Sequence, residues 1–179
     1  MKRVITKNDI YGNSYIVSED ISNIEVPLPD LDPRFKFFNL WTTDAMPVPL
    51  EEDDPVKDRY VSTSPAQNGS LFRIVNYPPE RVLLDKISQI SQMSQEDLIA
   101  FEERIGIKLN LNGKHPLMHM TQSIDFGIVL TGEIYLVLDK EEILLKPTDT
   151  VIQRGTYHAW NNRSDKDCLM AYVLLKATC

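Results

Sequence analysis

The chain has 179 residues and a mass of 20.5 kDa, with 42% hydrophobic and 25% charged residues, a balance that suits one packed domain and excludes disordered, collagen-like or fibrous chains. A formal charge of −7 and a pI near 5.0 repel a phosphate backbone, and the 19 Lys and Arg are scattered, so no nucleic-acid partner is expected. Three histidines and two cysteines exclude multi-zinc frameworks and disulfide-rich scaffolds.

In chain order, the opening MKRVITKNDIYGNS lacks the continuous apolar core of a secretory signal, and no run approaches the roughly 18 apolar residues that span a bilayer. A soluble, cytoplasmic protein with no membrane partner is expected. Its cysteines, Cys168 and Cys179, then read as reduced, one a small buried side chain and one a solvated tail. Residues 1 to 42 hold two runs with strand character, YIVS around Ile16 and FKFFNLW from Phe35 to Trp41, and read as an extended arm. From Thr43 to Ser70 the prolines at 47, 49, 55 and 65, with the acidic run Glu51 to Asp54, predict a long surface loop.

LFRIVNY, Leu71 to Tyr77, alternates as a strand does and is stopped by Pro78-Pro79. A helix is predicted from about 95 to 105, with Ser94 as N-cap, Glu96 and Asp97 in the first turn, Leu98, Ile99, Phe101 and Ile105 as apolar positions, and Gly106 at its end. A further helical turn over Leu83 to Ile90 would precede it. After Lys114 come seven short apolar runs, PLMHMTQ, FGIVL, EIYLVLD, EILLK, TVIQ, YHAWN and CLMAYVLL, separated by turn formers. That spacing leaves no room for crossover helices, so it predicts antiparallel strands in a barrel or jelly roll: an all-β fold with minor α. Thr131-Gly132, Asp139-Lys140-Glu141 and Lys146-Pro147-Thr148-Asp149 are suitable connections. The expected organisation is one domain, with an N-terminal arm and loop (1–70), a strand and helical segment (71–114) and a barrel (115–179).

All three histidines, His115, His119 and His158, fall in that last segment. Alternation sends His119 and Thr121 to one face, and a slight bend brings Asp125 to them. His158 shares a face with Trp160 on a later strand. Two imidazoles and one carboxylate in a small barrel suggest a metal site with open positions.

These segments resemble a cupin barrel, of the single-domain, conserved-barrel type. The first cupin motif, G-x5-H-x-H-x(3 or 4)-E-x6-G, is matched by Gly113-x5-His119-x-Thr121-x3-Asp125-x6-Gly132. The second, G-x5-P-x-G-x2-H-x3-N, is matched by Gln153-x-Gly155-x2-His158-x3-Asn162, with Thr148 near the place of the leading glycine. TQSIDFGIVLTGEIYLVLD and VIQRGTYHAWNN are similar to segments of small cupins from small-molecule and polyketide pathways. By matching positions the resemblance implies His119, Thr121, Asp125 and His158 as metal ligands. Thr121 is a poor donor and Asp125 is one methylene shorter than Glu. The remaining triad, His119, Asp125 and His158, would hold Zn, Fe, Mn or Ni at about 2.0 to 2.2 Å. Asp125 also fits a turn cap, and His115 a replacement imidazole or no site role. Gly132, Gly155 and Asn162 read as structural.

The expected pocket is lined by Thr121, Val129, Tyr135, Val137, Arg154, Tyr157 and Trp160, with Arg154 near the mouth as a clamp for a carboxylate. Three functions fit. The first is a metal-dependent lyase, decarboxylase or isomerase acting on an organic acid or cyclic carbonyl compound, or an Fe(II) dioxygenase if oxygen takes an open position. The second keeps the pocket without metal and uses His119 or His158 as general base. The third is a non-catalytic small-molecule-binding module. The resemblance further implies a homodimer, with the aromatic arm adding to a partner's sheet.

Overall fold

The computed structural model describes residues 1–18, 25–27, 32–50, 53–57, 61–105 and 107–178. Glu51 and Glu52 of the acidic run, Gly106 and Cys179 lie outside the described residues.

The architecture is two facing antiparallel sheets with a helical segment, consistent with the expected jelly roll. β1 (Ile5–Asn8) and β2 (Ser14–Ser18) form a hairpin that pairs with no other strand among those described. β3 (Glu25–Pro27) leads to β4 (Lys36–Thr43) and β5 (Ser70–Tyr77). A 3-10 turn at Glu80–Val82 runs into α1 (Leu84–Ser91), followed by α2 (Gln95–Ile105). Short strands β6 (Lys108–Leu109) and β7 (His119–Met120) precede β8 (Ser123–Thr131), β9 (Ile134–Leu138), β10 (Glu142–Leu145), β11 (Thr150–Arg154), β12 (His158–Asn161) and β13 (Cys168–Lys176). One sheet has the order β10-β9-β12-β7-β6 and the other β11-β8-β13-β5-β4-β3.

The second sheet corrects the expected division of labour. The aromatic run of the supposed arm is β4, which pairs with β3 on one side and β5 on the other and buries Phe37. It is therefore not available as a free arm, and the sheet that faces the histidines draws on residues well before 115. PLMHMTQ contributes only the two residues of β7.

The α2 expectation is met from Gln95 to Ile105. Ser94 Oγ accepts the Asp97 N–H at 3.1 Å, and Ser94 O accepts the Leu98 N–H at 2.9 Å, which satisfies the first-turn donors as an N-cap does. Leu83, Ile87, Ile90 and Phe101 form a small core of their own, joined by Leu109 and Leu117. The main core lies between the sheets, around Leu71, Val75, Val129, Ile134, Leu136 and Met170. No helix among the described residues is long and apolar enough to cross a membrane.

Candidate functional site in the barrel cavity

A cavity of about 110 Å³ opens between the two sheets and the helical segment. Strand alternation decides what enters it. On β5 the burial repeats every second residue, so Leu71, Arg73, Val75 and Tyr77 face inward. On β8 the inward set is Ser123, Asp125, Gly127 and Val129, and on β13 it includes Cys168, Met170, Tyr172 and Leu174.

His119 and His158 are directly opposite each other in the β7–β12 pair, with ring centroids 4.5 Å apart. Each ring is anchored in the same way. His119 Nδ1–H donates to Leu117 O at 3.0 Å, and His158 Nδ1–H donates to Thr156 O at 2.9 Å. With the proton on Nδ1, each Nε2 carries a lone pair, and both rings line the cavity. Burial keeps both imidazoles neutral. It lowers His119 below its ordinary 6.5, and together with the neighbouring His119 it lowers His158 to about 3.

Asp125 also lines the cavity, but its oxygens are engaged locally. Ser123 Oγ donates to Oδ1 at 2.6 Å and Thr121 Oγ1 donates to Oδ2 at 3.2 Å. Burial raises its pKa and outweighs the two hydroxyl donors. Among the described residues no group of three or more His, Cys, Asp or Glu side chains comes together closely enough to hold a metal ion. The three expected ligands, His119, Asp125 and His158, all line this cavity, with the Asp125 oxygens taken by the Ser123 and Thr121 hydroxyls. The donor set that does exist is two imidazoles, each prepared on Nδ1 by a backbone carbonyl, as ligating histidines are. Their two Nε2 nitrogens are the atoms that could hold a divalent cation, which would take its other ligands from water or substrate.

His115 has a different task. Its Nδ1 accepts the Leu117 N–H at 3.0 Å, so the proton is on Nε2, which contacts Glu80 Oε1 at 2.6 Å. Both ring nitrogens are used, so His115 replaces no missing ligand. The Glu80 N–H donates to Asn162 O at 2.7 Å, and Asn162 Nδ2 donates to Tyr77 O at 2.9 Å. Asn162 is structural, as expected, and it ties the helical wall of the cavity to the barrel.

Of the expected pocket residues, Thr121 and Trp160 line the cavity and five lie elsewhere. On β9 it is Ile134 and Leu136 that face the main core. Val137 is on the opposite face with Met118 and Ala159, and Tyr135 is stacked beneath Arg163, whose Cζ is 4.2 Å from the ring centroid. Val129 faces inward but is packed in the core. Arg154 and Tyr157 are exposed, so the expected clamp is not at the cavity wall.

A different arginine is. Arg73 is buried on β5, with Nη2 donating to Ser62 O at 3.0 Å and Cζ 4.9 Å from the Phe37 ring centroid. The signal was present in the sequence: Arg73 is in phase with Leu71, Val75 and Tyr77, and a charge in phase with apolar positions points inward. Tyr172 was similarly legible, in phase with Met170 and Leu174. Glu80 carried no such signal, since it enters the site only because the 3-10 turn folds back over the barrel.

No family model matches the chain. Among curated proteins it is similar to Phomopsin biosynthesis cluster protein C' of Diaporthe leptostromiformis, with 33% identity over 92% of this chain and 78% of that protein. It is also similar to the cupin-domain-containing oxidoreductase fogC of Aspergillus ruber, with 25% identity over 97% of this chain and 71% of that protein. Among solved structures, the cupin domain of Cnp3 from Schizosaccharomyces pombe aligns with a TM-score of 0.44 and 11% identity, over 98% of this chain and 87% of that one.

Proposed function

Because the chain is a small cupin and belongs to the family of the phomopsin-cluster protein, we propose that it is an enzyme of small-molecule biosynthesis that transforms an organic intermediate in the barrel cavity. The observation that carries this reading is the His119–His158 pair, two neutral imidazoles with Nε2 lone pairs in a largely apolar cavity.

Two acceptors that face one space repel each other unless a donor lies between them. The donor can be a substrate O–H or a cation. In the first case the pair binds and orients an enolisable carbonyl compound or an organic acid, and Asp125 on the same cavity wall would exchange a proton with it once released from its Ser123 and Thr121 hydroxyl partners. Isomerisation and decarboxylation follow from that arrangement, since both need a developing enolate to be held out of water. A divalent cation on the two Nε2 atoms would supply Lewis-acid stabilisation of the same charge. An oxidoreductase is the second reading, favoured by the printed name of the Aspergillus ruber relative.

The test is incubation with a panel of β-keto acids, cyclic enones and hydroxyaryl ketones in deuterated buffer, followed by proton NMR and an oxygen electrode. Deuterium incorporation or loss of carbon dioxide without oxygen uptake supports the first reading. Oxygen uptake that depends on added Fe(II) supports the second. Saturable binding with no conversion of any compound would overturn both and leave a binding module.

A further inference from the structure

The cavity holds a second polar feature, about one ring away from the histidines. Tyr77 and Tyr172, both buried and both lining the cavity, have their hydroxyls 3.0 Å apart. Tyr172 donates its proton to Met170 Sδ at 3.0 Å, so Tyr77 donates to the Tyr172 oxygen. A thioether is a weak acceptor. The last proton of this chain is therefore poorly satisfied, in a place where water is largely excluded and an unsatisfied donor is costly.

Trp160 stands between the two features. Its ring is edge-on to His158, at 5.8 Å and 77°, and to Tyr172, at 5.7 Å and 64°. Tyr77 continues the wall at 6.2 Å from Trp160, and Phe35 follows at 5.4 Å from Tyr77. A wall of ring edges and faces suits a flat π-system, whose own edge and face can meet theirs. The Tyr172 ring is seated on bare backbone: a Cβ on Gly127 would lie 3.0 Å from Tyr172 Cε1.

We propose that the Tyr77 and Tyr172 phenols are a carbonyl-binding donor pair, and that the cavity's occupant is a planar aromatic or conjugated compound with its carbonyl oxygen at the tyrosines and an O–H at the histidines. A carbonyl oxygen at Tyr172 replaces the sulfur as acceptor and completes the chain of donors. The histidine end of this assignment rests on the function proposed above, and the tyrosine end does not. Burial raises both phenols well above their ordinary range, so both stay protonated donors.

The test uses the full chain with acetophenone and with ethylbenzene, a probe of similar shape that lacks the carbonyl. Wild-type protein should bind acetophenone roughly tenfold more tightly than ethylbenzene, the effect of about one good hydrogen bond, and should shift its carbonyl stretch to lower frequency. Tyr172→Phe keeps the ring and should remove both the preference and the shift, whereas Tyr77→Phe, which removes only the donor behind Tyr172, should reduce both. Met170→Leu removes the competing acceptor and should tighten acetophenone binding, which keeps the idea testable if a tyrosine variant misfolds. An identical carbonyl frequency in wild-type and tyrosine variants, or equal binding of the two probes by wild-type protein, would overturn the proposal. Neither readout needs turnover, so loss of the proposed enzymatic function would leave this result intact, and the reverse.

Discussion

His119 and His158 each bond through Nδ1 to the backbone carbonyl two residues before them, Leu117 and Thr156, which leaves both Nε2 atoms unprotonated on two rings 4.5 Å apart in the cavity wall. The symmetry makes the two imidazoles one unit. Asn at position 158 can keep the amide donor to Thr156 O but offers no Nε2. His158→Asn should therefore melt close to wild type yet lose at least about 100-fold in turnover, measured on any compound that the panel identifies. Retained turnover would remove His158 from the chemistry.

Two glycines with positive φ separate strain from collision. Gly132 has φ +76° and a Cβ there would lie 2.7 Å from Asp167 O, whereas Gly155 has φ +59° and nothing nearer than 3.6 Å. Gly155→Ala should cost about 1 kcal/mol of backbone strain. Gly132→Ala should cost distinctly more, because its backbone contact has to move as well. Urea denaturation of the two variants gives the comparison.

The Glu80–His115 contact sets an acid limit on stability. The hydrogen bond from His115 holds Glu80 below its ordinary 4.5 despite partial burial. A carboxyl lowered on folding stabilises above its unfolded value and loses that contribution as pH falls through the folded one. Between pH 7 and pH 3 the melting temperature of wild-type protein should fall more steeply than that of Glu80→Gln. The variant should be the less stable of the two at pH 7. Parallel curves would show that the contact is energetically silent.

Cys168 is fully buried in the main core, and burial raises its thiol to about 12. It should resist iodoacetamide at pH 8 in native protein and react at once in 6 M guanidinium, as mass spectrometry would show.

The parts of this fold that could be read in advance are those that local chemistry specifies. Ser94 with its acidic first turn marked α2, and short apolar runs between turn formers marked the strands from β8 to β13. His119 and His158 were identified by their spacing, and they do meet in the cavity. What failed was parity and partnership. Alternation says that Tyr135 and Val137 share a face of β9, but not which face is inside, and the inner one belongs to Ile134 and Leu136. Asp125 is where the spacing put it, but spacing says nothing of the Ser123 and Thr121 hydroxyls that hold its carboxylate. Arg73 was visible by phase, whereas Arg154, placed at the mouth by position along the chain, is exposed on the outer face of β11. Glu80 depended on a long-range fold-back that no local pattern announces.

The central claim is that His119 and His158 present paired, unprotonated Nε2 atoms to the cavity's occupant. Nitrogen-15 NMR of imidazole-labelled protein at pH 7 tests it most directly. Both residues should show the Nδ1–H tautomer, and both Nε2 resonances should move together when a compound that the protein converts is added, with His115 unchanged. Nε2–H tautomers at either position, or Nε2 resonances indifferent to that compound, would contradict the account.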